Sequence, residues 1–162
     1  MQYLALMQLL ILLALANGSP IAAKRILGDK LARPLDGNIK FVDGRPLFGR
    51  SKTVRGILVA ILVTSMCAPL LGLDLRIGLL VATAAMAGDL LSSFLKRRLG
   101  LPPSSMATGL DQIPESLLPL VACRQALSLS ALDMVVGTAI FFVGDVVLSR
   151  LLFRLHVRDR PY

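Results

Sequence analysis

The sequence has little of the side-chain chemistry on which many enzymes and metal proteins depend. It contains one histidine, two cysteines and no tryptophan, and aromatic residues make up only 5% of its 162 residues. No paired-cysteine or histidine-rich spacing predicts a zinc or haem site. Acidic residues are also few, with 10 Asp and Glu against 18 Lys and Arg. Because the basic residues cluster at the ends of apolar runs and aromatics are rare, a nucleic-acid partner is not expected.

Apolar residues, by contrast, are abundant. Hydrophobic residues make up 55% of the chain and the mean hydropathy is +0.72, which is too apolar for an ordinary soluble domain of this length. Runs of about bilayer length predict an all-α, polytopic membrane protein with one integral domain over 1–162. The predicted transmembrane helices are approximately 1–23, 57–73, 77–95, 113–128 and 132–153. The fourth run is the weakest, because Pro119 and Arg124 interrupt it.

The distribution of positive charge predicts the orientation of these helices. If five helices alternate in direction, 16 of the 18 Lys and Arg residues fall on one face of the membrane, and only Arg76 and Arg124 fall on the other. Positively charged loops stay in the cytosol. The N-terminus is therefore expected outside, with the C-terminus and the loops 24–56 and 96–112 in the cytosol. The expected location is the cell membrane, with the active site facing the cytosol.

The third apolar run carries an acidic residue and ends in three basic ones. A charged residue inside the bilayer is costly, so Asp89 is expected to have a function. An α-helix turns 100° per residue, which places Asp89, Ser93, Lys96 and, at the margin, Arg97 on one face. That face offers a metal ligand, a hydroxyl and two cations, a combination suited to triphosphate chemistry at a membrane surface.

The two predicted cytosolic loops supply further polar residues. The first is rich in Gly, Pro and Asp and ends in Lys52, Thr53 and Arg55 at the start of a helix. This position favours an anion-binding site, although a simple positively charged anchor is the alternative. The second loop returns Asp111 to the face that Asp89 occupies. Two carboxylates in one cavity suit Mg²⁺, whereas Asp111 taken alone is typical of a helix N-cap.

Other polar residues have structural interpretations. Asn17-Gly18-Ser19-Pro20 is expected to interrupt the first helix, either as a simple kink or beside a cavity that satisfies the freed carbonyls. Asp145 is expected to make an interhelical hydrogen bond or an ion pair. Cys67 and Cys123 are expected to be small packing residues, although a disulfide between them is an alternative. A homodimer is compatible with the pattern.

Taken together, these motifs resemble the CDP-archaeol synthase family, a branch of the phosphatidate cytidylyltransferase superfamily made of small membrane proteins. The resemblance covers essentially the whole chain, and its most specific part is the Gly88-Asp89 to Gly100 element followed by a downstream Asp. The other similar stretches are Pro34 to Gly37, Asp43 to Gly49, Lys52 to Gly56, Leu110 to Gln112 and the C-terminal Arg158 to Tyr162.

The resemblance implies a nucleotidyl transfer from CTP to a lipid phosphate, assisted by Mg²⁺. Carried over by position, Asp89 and Asp111 are the metal-side carboxylates and catalytic residues, together with Lys96. The residues implied in binding the nucleotide phosphates are Lys52, Thr53, Arg55, Ser93 and Arg97. The chain departs from the family at Pro114, where a second acidic residue usually stands, with Glu115 next to it.

Two other functions compete with this interpretation. One is an acyl-phosphate-dependent glycerol-phosphate acyltransferase, which would leave Asp89 and Asp111 without a role. The other is a non-enzymatic membrane scaffold or transporter. For the cytidylyltransferase, the resemblance implies an unsaturated archaeal-type diether phosphate as the lipid, with phosphatidate as the alternative. The apolar helix walls show no donor for an ester carbonyl, so only modest discrimination between them is expected.

Overall fold

The computed structural model describes residues 1–105 and 107–154, and the C-terminal Arg158 to Tyr162 motif lies outside them. Within the described part the regular structure is helical, in agreement with the predicted fold class. The helices are α1 (Tyr3–Leu27), α2 (Val54–Cys67), α3 (Leu75–Arg98), α4 (Gln112–Ala122) and α5 (Ala131–Arg154), with a short 3₁₀ helix at Pro69–Leu71 after α2.

Four segments are long and apolar enough to cross a membrane. They are Tyr3–Leu27, Val54–Leu71, Leu75–Arg98 and Ala131–Leu151. Helix α4 is the exception among the five, because its 11 residues extend only about 16 Å at 1.5 Å per residue, whereas the hydrocarbon core of a bilayer is about 30 Å thick. The prediction of a helix over 113–128 is therefore wrong at its C-terminal end. After Ala122 the chain forms turns, with Leu129 N–H donating to the Arg124 carbonyl at 2.9 Å and Ser128 at a φ of 51°.

Two other predicted boundaries are corrected. The first helix continues through Pro20 to Leu27, so residues 17–20 do not interrupt it. The third helix continues to Arg98, so the three basic residues belong to its last turn rather than to a loop. Positive side chains in the last turn interact favourably with the helix dipole, which is one physical reason for the extension.

Helices that follow one another in the sequence run antiparallel, and polar contacts join helices at both ends of the bundle. At one end the beginnings of α1 and α5 meet, where the Gln2 N–H donates to Asp133 Oδ1 at 3.1 Å. At the other end the Arg55 guanidinium of α2 donates to the carbonyl of Gly28, just beyond α1, at 2.9 Å. The loop 28–53 and the C-terminal ends of α1 and α3 therefore share this second end, which we call the loop end.

Close packing of α3 against its neighbours depends on two glycines. A Cβ added at Gly78 would lie 2.7 Å from the Ala68 side chain, and one added at Gly88 would lie 2.3 Å from the Pro114 carbonyl oxygen. Since glycine lacks a Cβ, the backbones of α3 and α4 approach each other directly beside Asp89. The fully buried leucines of the core are Leu9, Leu12, Leu13 and Leu120.

Candidate functional site

The loop 28–53 is ordered around one buried carboxylate. Asp36 accepts hydrogen bonds from the backbone N–H groups of Asn38, Phe48 and Gly49, at 3.0, 3.0 and 2.9 Å. Burial alone would raise the pKa of Asp36, but the three backbone donors more than offset it, so the pKa is lowered. The end of the loop is held beside its beginning, because the backbone carbonyl of Lys52 accepts a hydrogen bond from the Leu35 N–H at 2.8 Å.

The structure brings Lys52 directly to Asp89. The lysine ammonium lies 2.5 Å from each carboxylate oxygen of Asp89. Burial of the ammonium lowers the pKa of Lys52, but attraction to Asp89, supported by Glu115 and Asp111, outweighs it and raises the pKa above its usual 10.5. Lys52 is therefore a permanent cation at the entrance of α2, held by the carboxylate of α3.

A second ion pair forms between Lys96 and Asp111. The Lys96 ammonium lies 2.6 Å from Asp111 Oδ1 and also donates to the Ser105 carbonyl at 3.0 Å. The other oxygen of Asp111 accepts from the Ala107 N–H at 3.0 Å. The Asp111 side chain makes no capping hydrogen bond to α4, so its alternative interpretation as a side-chain N-cap is not what the structure shows.

Arg97 is a buried cation with unused donors. Its side chain is 3% exposed and donates from Nη2 to the Pro102 carbonyl at 2.8 Å, but within the described residues Nε and Nη1 have no hydrogen-bond partner. Gly49, with a φ of 93°, makes room for it, because an added Cβ would lie 3.3 Å from Arg97 Nη1. The loop therefore packs over this guanidinium and leaves two of its nitrogens for an acceptor.

The other predicted phosphate-binding residues have contacts of a structural kind. The Thr53 hydroxyl caps α2 by accepting from the Gly56 N–H at 3.1 Å. Arg55 donates to the carbonyls of Gly28 and Lys30, so its guanidinium is turned toward the end of α1. Ser93 is buried on α3. Lys52 and Lys96 are thus paired directly with the predicted metal-side carboxylates. Thr53 and Arg55 instead fix the N-terminal end of α2.

Two residues of α4 complete the site from the other side. Glu115 interacts electrostatically with Asp89, Lys52, Asp145 and Asp111, so it belongs to the same group of charges. Gln112 Nε2 donates to Asp145 Oδ2 of α5 at 3.0 Å, which is the interhelical hydrogen bond expected for Asp145. The sequence indicated Glu115 as the acidic neighbour of Pro114 and Gln112 as part of the Leu110 to Gln112 stretch, but it assigned neither residue a contact. We call the six charged residues the charged cluster: Lys52, Asp89, Lys96, Arg97, Asp111 and Glu115.

Arg98 holds the first loop against the end of α3. Its guanidinium lies 4.8 Å from the ring centre of Phe41 and 4.9 Å from that of Phe94, and it forms an ion pair with Asp43 at 3.0 Å. Arg45 in turn donates to the Arg98 carbonyl at 2.5 Å. These contacts fix the loop over the charged cluster.

The remaining candidates lie away from this site. Cys67 and Cys123 are both free thiols, so the disulfide alternative is not realised. An apolar cavity of about 550 Å³ lies between α1 and α2, lined among others by Gly18, Ala22 and Val59. Its lining contains no member of the charged cluster.

Comparison with known proteins agrees with the resemblance inferred from the motifs. The family model for CarS-like CDP-archaeol synthase matches residues 3–162. A CDP-archaeol synthase of Sulfurisphaera tokodaii is 33% identical over 153 residues, covering 91% of this chain and 89% of that protein. One of Pyrococcus furiosus is 41% identical over 107 residues, covering 60% of each chain.

A solved structure gives the same result for the fold. It is described as an intramembrane enzyme for archaeal membrane lipid biosynthesis, and it matches with a TM-score of 0.70 and 29% identity, over 85% of this chain and 90% of that one. These matches give no support to the acyltransferase or the scaffold and transporter interpretations.

Proposed function

The chain belongs to the CarS-like CDP-archaeol synthase family, and from that membership we propose that it transfers the cytidylyl group of CTP to a membrane lipid phosphate. The observation that carries the proposal is the pair of ion pairs in the charged cluster, Lys52 with Asp89 and Lys96 with Asp111. They bring two carboxylates and two ammonium groups to one end of a membrane-embedded bundle, which supports binding of a metal ion and of substrate phosphates there.

The reaction is a displacement at phosphorus. An oxygen of the lipid phosphate attacks the α-phosphorus of CTP, the bond from that phosphorus to the bridging oxygen breaks, and pyrophosphate leaves. A lipid phosphate is already ionised near pH 7, so the attacking oxygen needs no strong general base. The enzyme's task is to position two anions and to neutralise the charge that develops on the leaving group.

Asp89 and Asp111 fit a Mg²⁺ ion as its protein ligands. Each of the two carboxylates already binds a cation, Asp89 the Lys52 ammonium at 2.5 Å and Asp111 the Lys96 ammonium at 2.6 Å. Within the described residues no three His, Cys, Asp or Glu residues lie close enough to hold a metal by themselves. Mg²⁺ is commonly held by one or two carboxylates, with substrate phosphates completing its ligands, so Asp89 and Asp111 would suffice from the protein. Bound there, Mg²⁺ would supply neutralising charge to the triphosphate.

The cations of the cluster have separate roles in this proposal. Lys52 and Lys96 keep the two carboxylates neutralised before the substrates bind, and each then exchanges its carboxylate for a phosphate. Arg97 offers Nε and Nη1, which have no partner within the described residues, to the triphosphate. Thr53, Arg55 and Ser93 support the cluster by fixing the start of α2 and the inner face of α3.

We further propose that the charged cluster faces the cytosol and that the N-terminus lies outside. The loop 28–53 and the last turn of α3 carry nine of the 18 Lys and Arg residues, and both lie at the loop end of the bundle. Cytosolic segments are the ones enriched in Lys and Arg. CTP is a cytosolic nucleotide, so this orientation also gives the cluster access to its substrate.

The proposed lipid is an unsaturated archaeal-type diether glycerol phosphate, and the relatives' name, CDP-archaeol synthase, supports an archaeal-type lipid. The assay that tests the function follows pyrophosphate release by purified protein with CTP, Mg²⁺ and either this lipid or phosphatidate. The Asp89→Asn variant sets the background. Asp74→Asn is the matched control, because Asp74 is the N-cap of α3 and Asn caps a helix equally well.

We expect wild type and Asp74→Asn to release pyrophosphate and Asp89→Asn to release none above the blank. Wild-type protein that releases no more than Asp89→Asn with either lipid contradicts the proposal. Dependence on CTP and Mg²⁺ separates this reaction from acyl transfer.

A further inference from the structure

A polar side chain of α1 has no role in the site described above and no hydrogen-bond partner among the described residues. Asn17 lies in the middle of a membrane-spanning helix, and both its Nδ2 and its Oδ1 are buried. Within residues 1–105 and 107–154 neither atom makes a hydrogen bond. An unpaired amide costs free energy in an apolar interior, where no solvent satisfies it. A ligand that supplies the missing partner would relieve this cost.

The position of Asn17 relative to the charged cluster limits what that ligand is. Asn17 and Pro20 are three residues apart and share a helix face. Pro20 packs against the first turn of α2, because a Cβ added at Gly56 would lie 3.5 Å from the Pro20 side chain. Gly56 is hydrogen-bonded to Thr53, the neighbour of Lys52. Asn17 therefore lies on the face of α1 that meets the start of α2, about 4.5 Å deeper in the membrane than Pro20.

That depth corresponds to a definite part of a lipid phosphate. When the phosphate is at Lys52, the glycerol carbons and the two oxygens that link them to the hydrocarbon chains follow on the membrane side. Those linkage oxygens accept hydrogen bonds, and the Nδ2 of an asparagine carries two donor hydrogens. Pro20 lacks a backbone N–H, so the Ala16 carbonyl is left without its usual helical donor. This carbonyl adds a second polar group to the same turn of α1.

We infer that Asn17 binds the glycerol linkage oxygens of the lipid phosphate and thereby positions the lipid for attack. The inference rests on the proposed function and adds a residue that recognises the glycerol backbone. Because ether and ester linkages both offer acceptor oxygens, Asn17 distinguishes lipids with a glycerol backbone from long-chain phosphates without one, rather than diethers from diesters.

The test compares two substrates in four proteins. The substrates are the diether glycerol phosphate and a long-chain monoalkyl phosphate, which has the phosphate and the chain but no glycerol. The proteins are wild type, Asn17→Leu, Asn17→Ala as a second replacement, and Thr64→Val. Thr64 is the matched control, because its hydroxyl on α2 is likewise buried and unpartnered but lies ten residues beyond the start of that helix.

For Asn17→Leu and Asn17→Ala we expect the KM for the glycerol lipid to rise about tenfold, as for the loss of a hydrogen bond in a buried site. The KM for the monoalkyl phosphate and the dissociation constant for CTP should stay within twofold of wild type. Thr64→Val should match wild type in all three measurements.

Three results would overturn the inference. Unchanged KM for the glycerol lipid in both Asn17 variants means that this amide does not contact the lipid. An equal rise for both substrates, or a matching loss of CTP binding, means that Asn17 only supports the fold. Failure of wild type to use either lipid phosphate removes the proposed function itself, and is distinguished by the absence of pyrophosphate release before any variant is compared.

Discussion

At the scale of single residues, the site depends on two carboxylates, Asp89 and Asp111, that each have a cation as partner. Asp89 and Asp111 pair with lysines, whereas Asp145 pairs with the neutral side chain of Gln112. The three acids are therefore expected to respond differently when the charge is removed and the shape is kept.

Asp111→Asn should reduce turnover below a tenth of wild type, a loss of at least about 1.4 kcal/mol of transition-state stabilisation. The amide cannot replace the charge-assisted contacts of the carboxylate. Asp145→Asn should be milder, because an amide oxygen still accepts from Gln112 Nε2. Initial rates of pyrophosphate release measure both. If Asp111→Asn keeps more than a tenth of the activity, that carboxylate is structural, and full inactivation by Asp145→Asn would place Asp145 in the reaction.

Asp36 should control the order of the first loop. The pKa of Asp36 is lower in the folded protein than its usual value of 3.8. The ionised carboxylate therefore stabilises the fold fully at pH values above 3.8, and this stabilisation is lost as the pH falls through the lower pKa of the folded protein. Near neutral pH the carboxylate is ionised and binds three N–H groups. Asp36→Asn should therefore loosen the loop and increase tryptic cleavage after Lys40 and Arg50.

Asp29→Asn is the control for this experiment, because Asp29 is an exposed residue just after α1. Gel analysis of limited digestion in detergent gives the cleavage rates. Equal rates in wild type and Asp36→Asn would show that the Phe41, Asp43 and Arg98 contacts hold the loop without Asp36.

At the scale of helices, the site requires that α3 and α4 touch beside Asp89. Gly88 permits the approach, since a Cβ there would overlap the backbone of Pro114 and Glu115. Gly88→Ala should push α4 away, lower the thermal midpoint and reduce activity, because Asp111 and Glu115 move with α4. Backbone overlap of this kind cannot be relieved by a side-chain rotation.

Gly144→Ala on α5 is the matched substitution, because an added Cβ there meets no atom of the part of the chain that the structure describes within 4 Å. It should leave activity unchanged and raise stability slightly, since alanine is favoured over glycine in a helix by about 1 kcal/mol. Thermal midpoints and turnover of the two variants, measured side by side, test this. A Gly88→Ala variant as active and stable as Gly144→Ala would mean that the α3–α4 contact is not required.

At the scale of the whole molecule, the orientation in the membrane follows from where the positive charges lie. Reporters fused after Val42, after Ser104 and at the C-terminus should all register as cytosolic, and a reporter near Leu73 should register as external. The short length of α4 does not alter this expectation. After Ala122 the chain continues in turns to the start of α5, which lies beside Gln2 at the end of the bundle opposite the loop end. An external signal at Val42 would overturn the proposed orientation and the cytosolic placement of the charged cluster.

The sequence by itself determined the class of molecule, the helix count and the residues of the two acidic elements. Apolar runs are detectable because a membrane helix must satisfy its own backbone and present apolar side chains to lipid. Asp89, Lys96 and Arg97 were detectable because charges in or beside such a run are rare. Lys52 and Asp111 lie in loops without periodicity and were detectable from their positions next to predicted helix starts, and the family's motifs gave the same two residues.

Only the tertiary structure decided which cation pairs with which carboxylate. Lys52 and Asp89 are 37 residues apart, and their contact depends on the Asp36-centred fold of the loop and on antiparallel packing of α2 against α3. The end of α4 at Ala122 and the unbroken course of α1 through Pro20 are likewise products of packing, because local propensity alone favours the opposite in both places. The isolation of Asn17 is of the same kind, since a missing partner becomes visible only when all the neighbours are in place.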